Sequence, residues 1–369
     1  MNEVNVNKIR LDYVDVAKFV AIFFVIFCHI QGRGEIIHIA YSFHLPIFFI
    51  LNGITLKIKD ESFGQFLEKK IKSYIIPMFF LGFILIFAEI IKSQNTSNPL
   101  DIKYFGTMII NMLEQKRVYP LWFVGALFFS DVFFYFIYKL SRDKSYGILI
   151  GSLIFLGIAI ICNKYYKYRY VWNIDVSLFG VFFVGMGYLF NHKDMTNIRE
   201  FLLKNRIISL FVGLLLVVLG QIFGEYNFHT YNTYLEMWGM SYDKYYLVIP
   251  CAVFSSFGVI LISNAMRNKV LVELGKTTLV LLAFHQIITI PIFNQDIASN
   301  WYESIRTLEP NNINYLTFSF ASTLFSIVTL VMVYYFIVYS PFAFILNKKT
   351  KPFYKETILK LKSKLSKKS

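Results

Sequence analysis

Three histidines and a few charged side chains lie inside long apolar runs of this sequence, where an ionisable group is costly and therefore marks a candidate site. The first run carries Asp12, Asp15, Lys18 and His29, with Arg10 just ahead of it. Lys18 and His29 are eleven residues apart. On an α-helix that is about three turns and about 16 Å, so a cation and an imidazole share one face. His44 opens the second run two residues before Pro46, whose missing N–H frees a backbone carbonyl for other partners. The short connection Gln31–Ile37 makes the two runs antiparallel neighbours and sets His29 and His44 opposite each other at similar depth. Two imidazoles meeting in a low-dielectric site suit proton transfer. They also suit metal ligation, but no third Cys, His or carboxylate stands at ligand spacing, so no metal is expected.

Each of these residues also has a plainer reading. Lys18 can snorkel to headgroups. Asp12 and Asp15 can serve the helix N-terminus and its dipole. His285, in the middle of TTLVLLAFHQIITIPIF, reads as packing or as lining of the site. Asn52 and Gly53 make a small polar break suited to close helix contact. Trp122 reads as an interfacial anchor or as site lining. Asp131 and Glu89 are further acids in apolar runs, with no partner evident from sequence. In KIKDESFGQFLEKKIKSYIIP, Phe63, Phe66, Leu67, Lys70 and Ile71 suggest a short interfacial helix that ends in Lys69, Lys70 and Lys72. That cluster follows from positive-inside statistics, or it is an anion site for a phosphorylated ligand.

The elements that must position these residues are membrane spans. The chain has 369 residues, 56% hydrophobic and 16% charged, with 40 Phe, 25 Tyr and a mean hydropathy of +0.53. That composition excludes soluble domains, disorder, coiled coil, collagen and a disulfide scaffold. The net charge of +14 does not point to nucleic acid, because nine lysines of the last 22 residues, against Glu356, supply most of it. The polar, acidic start MNEVNVNKIRLDYVDVAK lacks a small-residue cleavage site, so the first run is expected to stay as an anchor. Ten runs of spanning length lie near 14–31, 38–56, 74–91, 119–139, 146–162, 173–190, 206–223, 245–264, 277–294 and 315–345. With both termini cytoplasmic, the inner segments hold 26 Lys and Arg and the outer loops hold 10. Lys164, Lys167 and Arg169 sit in a loop assigned outside, against that trend. The expected fold is an all-α polytopic bundle of about ten spans over residues 1–346, followed by a basic tail, 347–369. In the tail Tyr354, Ile358, Leu361 and Leu365 recur at helical spacing among lysines, as in a helix lying on an anionic leaflet.

The sequence resembles the acyltransferase family 3 integral membrane proteins, in the branch of fucose- and polysaccharide-O-acetylases. RLDYVDVAKFVAIFFVIFCH has that family's basic residue, ten residues and then His; FHLPIFFILNGI resembles its Phe-His-x-Pro-x-Phe-Phe signature. FLEKKIKSYIIP matches its basic motif before the third span, and LWFVGALF and LGKTTLVLLAFH match two weaker blocks. Lys18 stands where much of the family has Arg, Asn52 where Ser is usual, and Thr277-Thr278 where Asn-Ser is usual. The resemblance implies an acyl-CoA donor from the cytosol, most simply acetyl-CoA, and an acceptor hydroxyl on a surface glycan or its lipid-linked precursor. It places the enzyme in the cell membrane, as in a bacterial plasma membrane. Phosphates would then sit on Lys18, Lys69, Lys72 and Arg10. His29 would act as general base, with His44 orienting it, relaying the proton or stabilising the oxyanion. A transporter or flippase for a lipid-linked glycan or acyl carrier is the competing class, expected to show internal repeats or paired broken helices, which the sequence does not display.

Overall fold

A computed structural model describes residues 11–58, 61–94, 102–116, 120–165, 170–239, 244–289 and 307–346. Arg10, Lys167, Arg169 and the basic tail from 347 onward lie outside the described residues. Helix α1 (Asp12–Gln31) begins the chain's course through the bundle and ends where Gly32 takes a left-handed conformation, φ 68°, its N–H bonded to the Cys28 carbonyl. The membrane face where α1 begins is termed proximal, and the one where it ends distal.

The second span is split. Helix α2 (Glu35–Tyr41) stops short, and α3 (Pro46–Thr55) restarts with Pro46 in its first turn, where no N–H is needed. Helix α4 (Phe63–Lys70) is the short interfacial helix expected there, opened by a Ser62–Gln65 capping box. It runs through a π turn, Ile71–Ile75, into α5 (Ile76–Gln94). Pro77 offers no N–H to the Ser73 carbonyl, which accounts for the opened ladder just before it. Helix α6 (Ile102–Leu113) follows. It is too short to count as a span and lies against α5 through Met108 and Met112.

Helices α7 (Trp122–Ser141), α8 (Ser145–Tyr165) and α9 (Ile174–Asn191) cross next. After the short α10 (Thr196–Lys204) come α11 (Arg206–Tyr231) and α12 (Tyr245–Met266). The ninth span is also broken. Helix α13 (Lys269–Gly275) and α14 (Thr278–Phe284) meet at a 51° bend, and α14 continues as a π turn, His285–Thr289. Helix α15 (Ile313–Tyr339) ends in a 3₁₀ segment, Pro341–Leu346. Among the described residues, nine helices are long and apolar enough to cross a membrane, or ten if the bent α13–α14 pair is one span. The ten expected runs each overlap one of these, and 290–294 of the ninth run lies outside the described residues.

Close backbone contact organises the centre. A Cβ on Gly187 would lie 1.9 Å from the Ile50 carbonyl oxygen, and one on Gly53 2.0 Å from that of Val184, so α3 and α9 touch backbone to backbone. Phe49, Phe134, Phe179 and Phe183, all fully buried, fill the space among α3, α7 and α9. Gly275 does the same service for the ninth span: its Cβ would stand 2.0 Å from the Asp15 carbonyl oxygen, which docks α13 on the proximal turn of α1.

Candidate active site

Two helix breaks and one helix end place three histidines on one cavity. His29 sits in the last turn of α1, His44 in the turn between α2 and α3, and His285 at the α14 π turn. The cavity they line is near the distal face and has a volume of about 350 Å³. Val25, Tyr41, Trp122, Phe123, Glu236, Trp238 and Gln286 complete most of its wall.

The imidazoles are not equivalent. His44 is buried, and its Nδ1 lies 2.8 Å from the Ala40 carbonyl oxygen. His285 is fully buried, with Nδ1 at 2.8 Å from the Leu282 and 3.1 Å from the Leu281 carbonyl oxygen. A carbonyl accepts only, so in both rings Nδ1 is assigned the hydrogen and Nε2 the lone pair. The Tyr41 ring packs against His44, centroids 4.5 Å apart. His29 differs, since its ring is exposed to the cavity. Its centroid is 5.0 Å from that of His285, and Gln286 Nε2 donates to its Nε2 at 3.2 Å. Gln286 thus places an amide N–H beside the accessible imidazole.

His29 and His44 share the cavity, as their connection requires. Sequence reasoning left the ninth span without a fixed neighbour, whereas the structure sets its His285 ring beside that of His29, tilted by 44°. Trp122, the first residue of α7, lines the cavity as well. Glu236, Trp238, Tyr41 and Gln286 were not singled out. The only trace of them in the sequence is an aromatic-rich connection after the seventh span and the Gln that follows His285.

The remaining residues cluster at the proximal face. Lys18 is one-third exposed and 3.7 Å from the buried Asp15 carboxylate, while Asp12 is exposed. Ile22, on the helix face between Lys18 and His29, is fully buried, and the cavity extends along α1 as far as Val25. Lys69 pairs with Glu61 at 2.6 Å and Lys72 with Glu68 at 2.5 Å. The lysine between them behaves otherwise. Lys70 Nζ turns inward to Asp131 Oδ2 at 2.5 Å, and Asp131 is fully buried. Asn52 Nδ2 donates to Asp131 Oδ1 at 2.6 Å, and the Tyr74 hydroxyl donates to Asn52 Oδ1 at 3.0 Å. Asp131, without an evident partner in sequence, is therefore held by a lysine and an amide. Asn52 belongs to this proximal network and not to the distal cavity. Among the described residues, no group of three or more His, Cys, Asp or Glu side chains could hold a metal ion.

A family model described as an acyltransferase domain matches residues 11–353. Comparison with curated proteins and with solved structures gave no match.

Proposed function

Because the chain belongs to acyltransferase family 3, we propose that it moves an acetyl or other short acyl group from acyl-CoA to a sugar hydroxyl of a surface polysaccharide or its lipid-linked precursor. The observation that carries this reading is the accessible His29 in a cavity walled by two further imidazoles whose Nδ1 hydrogens are held by backbone carbonyls. The acceptor hydroxyl displaces the Gln286 N–H from His29 Nε2 and gives its proton to that nitrogen as its oxygen bonds to the thioester carbonyl carbon. The carbonyl oxygen takes the negative charge of the tetrahedral intermediate, and the Gln286 amide N–H beside His29 is the donor placed to meet it. The C–S bond then breaks, and the departing thiolate receives the proton from the imidazolium. His44 and His285 present acceptor nitrogens, which suits proton relay and not oxyanion donation.

At about 350 Å³ the cavity is at the lower end of small-molecule sites. It fits an acyl group and a sugar ring, while the nucleotide part of the donor stays outside. The excess of basic residues at the proximal face favours a cytosolic approach there, with phosphates on Lys18, Lys69 and Lys72. Those lysines already neighbour carboxylates, so a phosphate competes with Asp15, Glu61 and Glu68. The buried Ile22 separates that face from the cavity, and the pantetheine arm needs α1 to part from its neighbours at this level. Family membership weighs for this reading over a transporter, although two spans are broken. The test is thiol release from acetyl-CoA by the purified protein in lipid, with a sugar acceptor added. Release that depends on acceptor and disappears in His29→Ala is expected. Full release in His29→Ala overturns the mechanism, and none in the wild type overturns the activity.

A further inference from the structure

The lip of the cavity carries a carboxylate that the acyl transfer leaves unused. Helix α11 ends at Asn232 in a left-handed conformation, φ 50°. The segment beyond it is pinned back on the helix: Asn227 Nδ2 donates to the Thr233 carbonyl at 2.7 Å, and Thr233 Oγ1 to Asn227 Oδ1 at 3.3 Å. Leu235 and Met237 are buried in the bundle, 4% and 1% exposed. They alternate with Glu236 and Trp238, which line the cavity that His29 lines. The loop is thus anchored at alternate residues and presents a carboxylate and an indole on its other side. Tyr234 also packs on Tyr41, ring centroids 4.9 Å apart, which ties this lip to the residue beside His44.

Among the described residues that line the cavity, Glu236 is the single acid, and none is Lys or Arg. Three of the described cations toward this face are engaged elsewhere: Arg33 donates to the Leu308 carbonyl, Lys116 pairs with Glu114, and Lys244 lies over the Tyr231 ring. A carboxylate in a partly dry cavity accepts strong hydrogen bonds from hydroxyls and repels a second anion. Indole supplies an apolar face for a ring.

Resting on the acyl-transfer reading, we propose that Glu236 selects the acceptor. Its carboxylate anchors hydroxyls of an uncharged sugar ring against Trp238, leaving a neighbouring hydroxyl for His29, and it turns away sugars that carry a carboxylate, such as uronates. Glu236 is a specificity residue with no part in the bond changes.

The test compares a methyl hexoside with the matching methyl hexosiduronate on purified protein in lipid nanodiscs. Binding is followed by tryptophan fluorescence, and transfer by thiol release from acetyl-CoA. The wild type should bind the neutral sugar at least about tenfold tighter than the uronate. Glu236→Gln should weaken neutral-sugar binding by about 10- to 100-fold, the loss expected for a hydrogen bond to a charged group, and bring the two sugars level. Glu236→Lys should reverse the preference. In both variants the KM for the neutral acceptor should rise with little change in kcat, and an unfolding midpoint kept at the wild-type value certifies the fold. Equal binding of both sugars by the wild type, binding of neither, or an unchanged preference in Glu236→Gln overturns the proposal. Charge-selective sugar binding without any thiol release would overturn the transfer reading instead and leave the selectivity of Glu236 standing.

Discussion

Lys70 and Lys72 are two residues apart in one basic motif, and the structure predicts opposite consequences for losing them. Lys70 is 15% exposed and contacts Asp131, which has no exposure, at 2.5 Å. Lys72 and its partner Glu68 are 62% and 64% exposed. Replacing Lys70 by Met leaves the Asp131 carboxylate buried among neutral partners, Asn52 and Tyr74, and removing one member of such a pair costs about 3–5 kcal/mol. Removing an exposed pair changes stability little, because water and salt screen it. Lys70→Met should therefore unfold at markedly lower denaturant concentration, read by tryptophan fluorescence in detergent micelles, while Lys72→Ala should unfold near the wild-type midpoint. Replacing both partners, Lys70→Met with Asp131→Asn, removes the uncompensated charge and should recover most of the loss, to within about 1 kcal/mol of wild type. Kinetics should split the other way. On the proposed approach of acyl-CoA to the proximal lysines, the KM for acyl-CoA should rise in Lys72→Ala with kcat nearly kept, and added salt should raise it further. If Lys70→Met is no less stable than Lys72→Ala, or the double variant is less stable than Lys70→Met, the buried pair does not do what its geometry implies.

Two further outcomes follow from the packing. His29→Ala combined with His44→Ala or with His285→Ala should be no slower than the more damaged single variant, because groups acting as one unit do not lose rate additively; additive losses in transfer assays would separate the rings. Gly187→Ala forces a methyl to within 1.9 Å of the Ile50 carbonyl and should cost about 3 kcal/mol in the same denaturation assay, whereas Gly64→Ala, in open space, should be silent; equal midpoints would contradict the α3–α9 contact.

Much of the architecture could be read from the sequence because span length and apolar content are properties of a single stretch of chain. The split of the second span was not read, although Pro46 stands at it, because one proline does not say whether a helix kinks or restarts. Helix α6 was missed because its 12 residues are too few for a span and too apolar for a loop. The bend between α13 and α14 carries no proline, and it follows from docking: Gly275 must approach Asp15 while Thr277 and Thr278 turn their hydroxyls back onto the Leu274 and Gly275 carbonyls. The three lysines of the basic motif look alike in sequence. What sets Lys70 apart is a carboxylate 61 residues later, on a helix whose rotation no local pattern fixes. Glu236 was invisible for the same reason, because a connection between spans gives no sign of which cavity it borders.

Two of the histidines sit at irregular turns. At the turn before Pro46 and at the His285 π turn, carbonyls of the residue's own segment accept the Nδ1 hydrogen, Ala40 and Leu281 doing so beside backbone N–H bonds they already accept. Each ring is thereby oriented by local backbone, and its Nε2 is directed without any second polar side chain in the apolar interior. His29, in the last turn of a regular helix, takes Gln286 of the π turn as a side-chain partner and keeps its ring open to the cavity. At the breaks in the second and ninth spans, two buried imidazoles thus hold a fixed tautomer beside a third that is free to meet a substrate.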